Sequence, residues 1–234
     1  MHILITGASR GIGSAAYALL KSRGHNVAGH SSRGGGELIA AELSDPAAPR
    51  ALWEAALEKL DGRIDVLVNN AGIYEAIEPE TSDEQWHAAW ARTMTVNLQA
   101  PADLCRLAVA HFRERGQGGR IVNVSSRAAF RGDSPAHGHY AASKGALISL
   151  TKTIARAYAA EGILAFAVAP GFTVSEMTED YLAGRGGARI LADIPLGRVA
   201  TTDEVAETIR WLATEAPPSA SGTTIDVNGA SYVR

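Results

Sequence analysis

Ile3-Leu4-Ile5-Thr6-Gly7-Ala8-Ser9-Arg10-Gly11-Ile12-Gly13 is a short apolar run that breaks into a glycine turn, and a helical pattern through Ala15, Ala16, Leu19 and Leu20 follows it. The β-branched start predicts a strand, and the spacing beyond Gly13 predicts a helix. Glycines at 7, 11 and 13 let the backbone turn sharply and come close to a ligand. Unpaired N–H groups and the positive end of the helix then favour a diphosphate. The spacing is Gly-x-x-x-Gly-x-Gly rather than the commoner Gly-x-Gly-x-x-Gly, so the glycines alone leave a plain tight turn open. Gly7-Ala8-Ser9-Arg10-Gly11 also fits the Gly-x-Ser-x-Gly elbow of α/β-hydrolases. That elbow follows a central strand with others upstream, whereas only a handful of residues precede it here.

Outward from this turn, strand-like runs at 27–30, 38–43, 64–68, 121–125, 163–169 and 224–227 alternate with helical stretches. The alternation predicts a parallel sheet covered by helices on both faces. A chain of 234 residues with 46% hydrophobic content is long enough for one sizeable core. No linker, repeat or low-complexity tract divides it, so 1–234 is expected to be a single domain. Met1-His2-Ile3 has no basic flank and its apolar run ends at Gly7, which argues against a signal peptide. The run from Ile163 to Ala169 is far too short to span a bilayer. A lone Cys105 excludes an internal disulfide and reads as a core residue. A net charge of −3 supplies no basic footprint for nucleic acid or a membrane surface. A cytoplasmic location is expected.

Tyr140-Ala141-Ala142-Ser143-Lys144 places a phenol and an ammonium four residues apart. On a helix these positions lie one above the other. A neighbouring cation favours phenolate, so the spacing predicts a tyrosine pKa lowered from about 10 toward the range useful in acid–base chemistry. Other motifs stand in order along the chain: Asn69-Asn70-Ala71-Gly72 after the 64–68 run, Asn97 in Val96-Asn97-Leu98, Ser126 at the end of Ile121-Val122-Asn123-Val124-Ser125-Ser126, and Pro170-Gly171 after the 163–169 run.

With Thr6 to Gly13 and the Tyr140/Lys144 pair, this set resembles the short-chain dehydrogenase/reductase family over nearly the whole length, and its 3-oxoacyl-carrier-protein reductases in particular. The resemblance implies an α/β, Rossmann-type, doubly wound parallel sheet of about seven strands with helices on both faces. It also implies hydride transfer between a nicotinamide cofactor and a carbonyl or secondary alcohol. Ser126 would bond the carbonyl oxygen, Tyr140 would give it a proton, Lys144 would hold the nicotinamide ribose, and Asn97 would position a water leading to solvent. Gly7, Ser9, Arg10, Gly11, Ile12 and Gly13 would line the diphosphate site. Asn69, Ala71 and Gly72 would follow at the cofactor, as would Tyr140 and Lys144, with Leu43 at the adenine. Pro170, Gly171, Thr173 and Ser175 would meet the nicotinamide carboxamide. A substrate lid is expected at about 172–199, with Gly184, Gly186 and Gly187 inside it.

The end of the second strand, Val27-Ala28-Gly29-His30-Ser31-Ser32-Arg33, carries no acid where NAD-binding sheets usually place one. Ser31, Ser32 and Arg33, with Arg10 opposite, suit the extra phosphate of NADP, so NADP(H) is expected over NAD(H). Two departures from the family accompany this. Only about seven residues separate the second and third strands, where parallel strands usually need a dozen or more; a bare glycine loop over 31–37 is expected in place of a helix. Ser126 and Tyr140 are fourteen apart, one more than the family's commonest spacing.

The expected partner is a small carbonyl substrate, with a 3-oxoacyl thioester suggested by Ile194 to Arg198 and the capped helix start after Thr202. An acyl carrier protein is weakly supported, because Glu161 stands where the family often has a basic residue and only Arg113 and Arg115 are left. The resemblance and the apolar stretches 100–112 and 141–159 suggest a homo-oligomer, a tetramer before a dimer. His137-Gly138-His139 reads as a substrate contact before a metal site, since no carboxylate or cysteine cluster joins it, and no metal is expected. The alternatives are an NAD(H)-dependent alcohol or sugar dehydrogenase of the same family and a dinucleotide-binding sensor without turnover.

Overall fold

The computed structural model describes residues 1–173 and 187–234. One seven-stranded sheet is formed by β1 (His2–Ile5), β2 (Asn26–Ser31), β3 (Ile39–Ala40), β4 (Val66–Asn69), β5 (Gly119–Val124), β6 (Ile163–Pro170) and β7 (Thr224–Val227), in the order β3-β2-β1-β4-β5-β6-β7. Every pairing is parallel, with Ile3 opposite both Val27 and Val66 and Val122 opposite both Val68 and Phe166. Strand order reverses between β1 and β4, which opens a crevice at their carboxyl ends.

Alternation sorts the strand side chains into two cores. Leu4, Leu67, Ile121 and Ala165 face α2 (Ala48–Lys59), α4 (Ala100–Arg115) and α6 (Gly138–Tyr158). Ile3, Ile5, Val68, Val122 and Phe166 face α1 (Gly11–Ser22) and α8 (Thr202–Thr214). Burial on both faces explains why the strands read as nearly continuous apolar runs. Thr201 caps α8 by accepting from Glu204 N while Glu204 accepts from Thr201 N, a reciprocal capping box. The remaining α-helices among the described residues are α3 (Asp83–Met94), the short α5 (Ala128–Arg131) and α7 (Gly187–Ala192). Among the described residues no helix is long and apolar enough to cross a membrane.

The third strand shrinks from the expected 38–43 to Ile39–Ala40, and no helix precedes it. The chain crosses from β2 to β3 through 32–38, where Gly34, Gly35 and Gly36 all have positive φ (69°, 109° and 57°). Leu38 and Tyr17 pack over Gly29 of β2: a β-carbon at Gly29 would stand 2.6 Å from Leu38 Cδ2 and 2.8 Å from the Tyr17 ring. Glu37 ties the loop down on both sides, accepting from Lys21 of α1 at 2.6 Å through its carboxylate and from Lys59 of α2 through its carbonyl.

Candidate active site

Thr6 Oγ1 accepts from the N–H groups of Asn70 and Ala71 at 3.0 Å, joining the ends of β1 and β4. Gly13 has no room for a side chain, since a β-carbon there would lie 2.0 Å from Gly7 O and 2.4 Å from Asn70 Nδ2. Gly11 has open space around it but a φ of +55°, so its requirement is conformational. No side chain caps the first turn of α1, whose N–H groups therefore suit a diphosphate. This cradle fits the phosphates of a dinucleotide.

His30, at the end of β2, holds the turn from the other side. Its Nδ1 accepts from Gly7 N at 3.3 Å and its Nε2 donates to Ala41 O at 2.8 Å, which defines a neutral ring. Burial lowers its pKa, although the Ala41 bond and the charge of Glu42 oppose that. Of the expected phosphate contacts, Ser9, Arg10, Ser32 and Arg33 are exposed at this end of the sheet. Ser31 is buried and its hydroxyl donates to Gly34 O at 2.9 Å, so it shapes the glycine loop.

The side chains of Asn69 and Leu43 are packed in the core. β4 runs one residue further than predicted, so alternation turns the Asn69 side chain into the core. There its Nδ2 donates to Asn123 Oδ1 at 2.9 Å and lies 3.3 Å from Cys105 Sγ. Asn70 faces the crevice instead and donates to Thr6 O and Gly7 O. Leu43 is packed in the core with Leu52 and Trp53. Cys105 is buried as expected, and burial pushes its thiol up to about 12.

α6 carries a buried stripe of His139, Ser143, Lys144, Leu147, Ile148, Thr151, Ile154 and Ala155, so a lysine stands among its buried positions. Lys144 and the half-buried Tyr140 line one cavity of about 1240 Å³ with Ile12, Gly72, Ser126 and Pro170. Gly171 and Thr173 also line it, whereas Ser175 lies outside the described residues, as do Gly184 and Gly186 of the expected lid. A β-carbon at Gly171 would stand 2.8 Å from Asn228 Cβ, so only glycine lets the chain leave β6 here.

The Tyr140/Lys144 electrostatics differ from the prediction. Lys144 Nζ lies 5.7 Å from the Tyr140 ring centroid and donates to Val124 O at 2.9 Å rather than to the phenol. Burial raises Tyr140 to about 12; a hydrogen bond with Ser126 opposes the rise and the charge of Asp133 adds to it. Burial alone lowers Lys144 to about 8. Desolvation penalises both charged forms and outweighs the attraction that spacing suggested. Phenol and ammonium nonetheless coexist at neutral pH.

Asn97 sits fully buried in a π-helical turn, Thr95–Gln99, between α3 and α4. Its Oδ1 accepts from Ile73 N at 2.8 Å and its Nδ2 donates to Ile73 O at 2.9 Å, fixing the segment after β4. Gly72 passes closely between two functional groups: a β-carbon there would stand 3.2 Å from Asn97 Oδ1 and 3.3 Å from Lys144 Nζ, so a side chain would crowd both.

Tyr74, Arg127, Arg131 and Asp193, which the sequence did not single out, also line the walls. The Tyr74 ring stacks on His137 at 4.0 Å and meets Tyr140 edge-on at 4.7 Å. His139, in contrast, is buried against Trp90 of α3. Arg127 and Arg131 also line the cavity, with Asp193 between them. Arg113 and Arg115, the candidate carrier-protein contacts, are paired with Glu161 at 2.7 Å and Asp65 at 2.9 Å.

Comparison with known proteins agrees with this geometry. The family model described as "Enoyl-(Acyl carrier protein) reductase" matches residues 7–230. The chain is 37% identical to a 3-oxoacyl-[acyl-carrier-protein] reductase of Synechocystis, covering 97% of this chain and 94% of that one. It is 35% identical to the enzyme of the same name from Escherichia coli, over 98% and 96% of the two chains. The crystal structure of a 3-ketoacyl-(acyl-carrier-protein) reductase from Brucella melitensis complexed with NADH superposes with a TM-score of 0.84 at 28% identity, covering 99% of this chain and 98% of that one. A glycine cradle at the switch point of a seven-stranded parallel sheet, a Tyr–x–x–x–Lys helix along one cavity wall and these relatives lead to one assignment: the chain belongs to the short-chain dehydrogenase/reductase family, as an oxidoreductase acting on C=O and CH–OH groups with a nicotinamide dinucleotide.

Proposed function

We propose that the protein reduces a 3-oxoacyl thioester with NADPH. The observation that carries the reading is the convergence of Ser126, Tyr140 and Lys144 on the cavity that also takes in Ile12 of the glycine turn. The relatives' activity on 3-oxoacyl groups supports the substrate class. The exposed Arg10 and Arg33, at a strand end that carries no acid, support NADPH over NADH.

When bound, a nicotinamide dinucleotide supplies the hydride. Gly7, Gly11 and Gly13 would hold its phosphates, Lys144 its ribose hydroxyls, and Pro170, Gly171 and Thr173 the carboxamide end. Ser126 donates a hydrogen bond to the carbonyl oxygen and fixes its place beside Tyr140. Tyr140, protonated at neutral pH, transfers its proton to that oxygen as negative charge develops there. Lys144 stays cationic below about pH 8 and stabilises the phenolate left behind. Asn97 positions a water through its π-turn, where the wider winding displaces carbonyl groups from the regular ladder. That water returns a proton to Tyr140 by way of Lys144.

We also place the chain 1–234 in a single domain whose lid spans about 172–199. We infer a homotetramer with a seam along α4 and α6, where Leu107, Leu150 and Tyr158 remain partly exposed. Following NADPH and NADH oxidation over a panel of ketones and 3-oxoacyl thioesters tests the activity. Tyr140→Phe should lower kcat by about 10² to 10⁴ without loss of NADPH binding. Turnover that survives this change at the wild-type rate would sink the assignment of the proton donor. Light scattering reads the oligomeric state, and a monomer overturns the seam.

A further inference from the structure

Arg127 follows Ser126 directly. Its N–H donates to Pro170 O at 2.9 Å, so its backbone is fixed to the end of β6. The side chain is 11% exposed and its guanidinium lies 4.8 Å from the Phe172 ring centroid. Its ion pair is a single long contact of 3.4 Å to Asp193 Oδ2. Arg131, four residues on in α5, takes the same oxygen at 2.5 Å. Two guanidinium groups thus share one carboxylate oxygen, and Asp193 is itself 45% exposed. Asp133, the other carboxylate on the cavity wall, accepts from Tyr74 Oη at 3.3 Å and from Ser134 N at 2.8 Å. A buried guanidinium carries five donors and needs acceptors for them. Burial holds the Arg127 pKa below its ordinary value, with Arg131 adding to the effect and Asp193 opposing it.

We propose that Arg127, assisted by Arg131, binds a carboxylate carried by the substrate within a few bonds of its reacting carbonyl, in the place Asp193 now takes. The planar fork of arginine matches a carboxylate in a way a lone ammonium does not. Adjacency to Ser126 sets the distance: the phosphate of a pantetheine thioester, separated from its carbonyl by the whole arm, lies too far along. The inference rests on the reductase reading and narrows it to 3-oxoacyl thioesters whose acyl group also bears a free carboxylate, for which acetoacetate is a small probe.

The test compares acetoacetate with its neutral ethyl ester. Wild type should favour acetoacetate in kcat/KM, Arg127→Met should lower the acetoacetate-to-ester ratio at least tenfold, and Asp193→Asn should raise it by freeing the arginines. Equal losses on both substrates in Arg127→Met, or an unchanged ratio in Asp193→Asn, would overturn the proposal. Because Asp193 is a surface residue, its variant decides the matter even where Arg127→Met fails to fold. Calorimetry with 3-hydroxybutyrate on the NADPH-loaded protein reads the anion site without turnover. Binding weakened at least tenfold in Arg127→Met is expected, and equal binding overturns the proposal. Absence of any ketone turnover beside intact, Arg127-dependent binding would instead count against the reductase reading alone.

Discussion

Lys144 should make NADPH capture fail in a narrow alkaline window. Burial moves its pKa from 10.5 to about 8, a penalty on the ammonium of roughly 3 kcal/mol at 1.36 kcal/mol per unit. It is about 90% charged at pH 7 and about 10% at pH 9, by a simple titration about that value. If its cation holds the ribose and steadies the phenolate, kcat/KM for NADPH should fall roughly tenfold across those two units, since this parameter reports ionisations of the free enzyme. Other groups at the site leave the window clear. Tyr140 titrates near 12, and His30 and His139 are lowered from 6.5. The assay follows nicotinamide absorbance from pH 6.5 to 9.5 at saturating ketone. Lys144→Arg keeps a positive charge throughout and should lose the inflection, whatever its absolute rate. A flat wild-type profile between pH 7 and 9, or the same inflection in the arginine variant, refutes the reasoning.

Gly13→Ala should abolish NADPH binding and destabilise the fold by about 1–3 kcal/mol, because its β-carbon would meet Gly7 O at 2.0 Å; Gly11→Ala, with open space around it, should cost only its positive φ, about 1–2 kcal/mol. Thermal melts and cofactor titration of the pair check the contrast. Replacing Arg10 and Arg33 together by Ala should lower the NADPH-to-NADH ratio of kcat/KM by about ten- to a hundredfold, the worth of one or two charge-assisted hydrogen bonds; a ratio that does not move refutes their role. Burial would raise Asp65, but hydrogen bonds from Arg63, His2 N and Arg115 prevail and hold it at about 2 against 3.8. Its stabilisation, about 2 kcal/mol, is therefore complete above pH 3.8 and lost as pH falls through 2. Acid unfolding curves of wild type and Asp65→Asn should converge in that range and separate above it.

Much of this was legible because parallel strands are buried on both faces: Ile3 to Ile5 and Ile163 to Ala169 had to be continuous apolar runs, and the motif residues had to follow them. Less legible was the direction of a side chain that one residue of register decides. Extending β4 through Asn69 turns that amide into the core and hands the crevice to Asn70. The place of Leu43 was open for a related reason, since its apolar character serves the packing of α2 as well as it would an adenine. The glycine loop was readable from Gly34 to Gly36, but the packing over Gly29 was not, because Leu38, Gly29 and Tyr17 meet only in three dimensions. Arg127 did leave a signal: an arginine directly after Ser126, ahead of the apolar Ala128, Ala129 and Phe130.

The Tyr140/Lys144 pair shows what spacing alone leaves out. Four residues on a helix determine that the two groups are neighbours, whereas their pKa values depend on how much water the fold removes from each. Here the fold raises the phenol to about 12 and lowers the ammonium to about 8, so the more easily released proton belongs to Lys144. Ketone reduction needs a protonated phenol, and that form is present throughout the neutral range. Alcohol oxidation passes through the same transition state in reverse, with the phenolate as base, so the pair serves both directions. Because Lys144 releases its proton more easily than the phenol, it is the member of the pair able to recharge Tyr140 after each turnover.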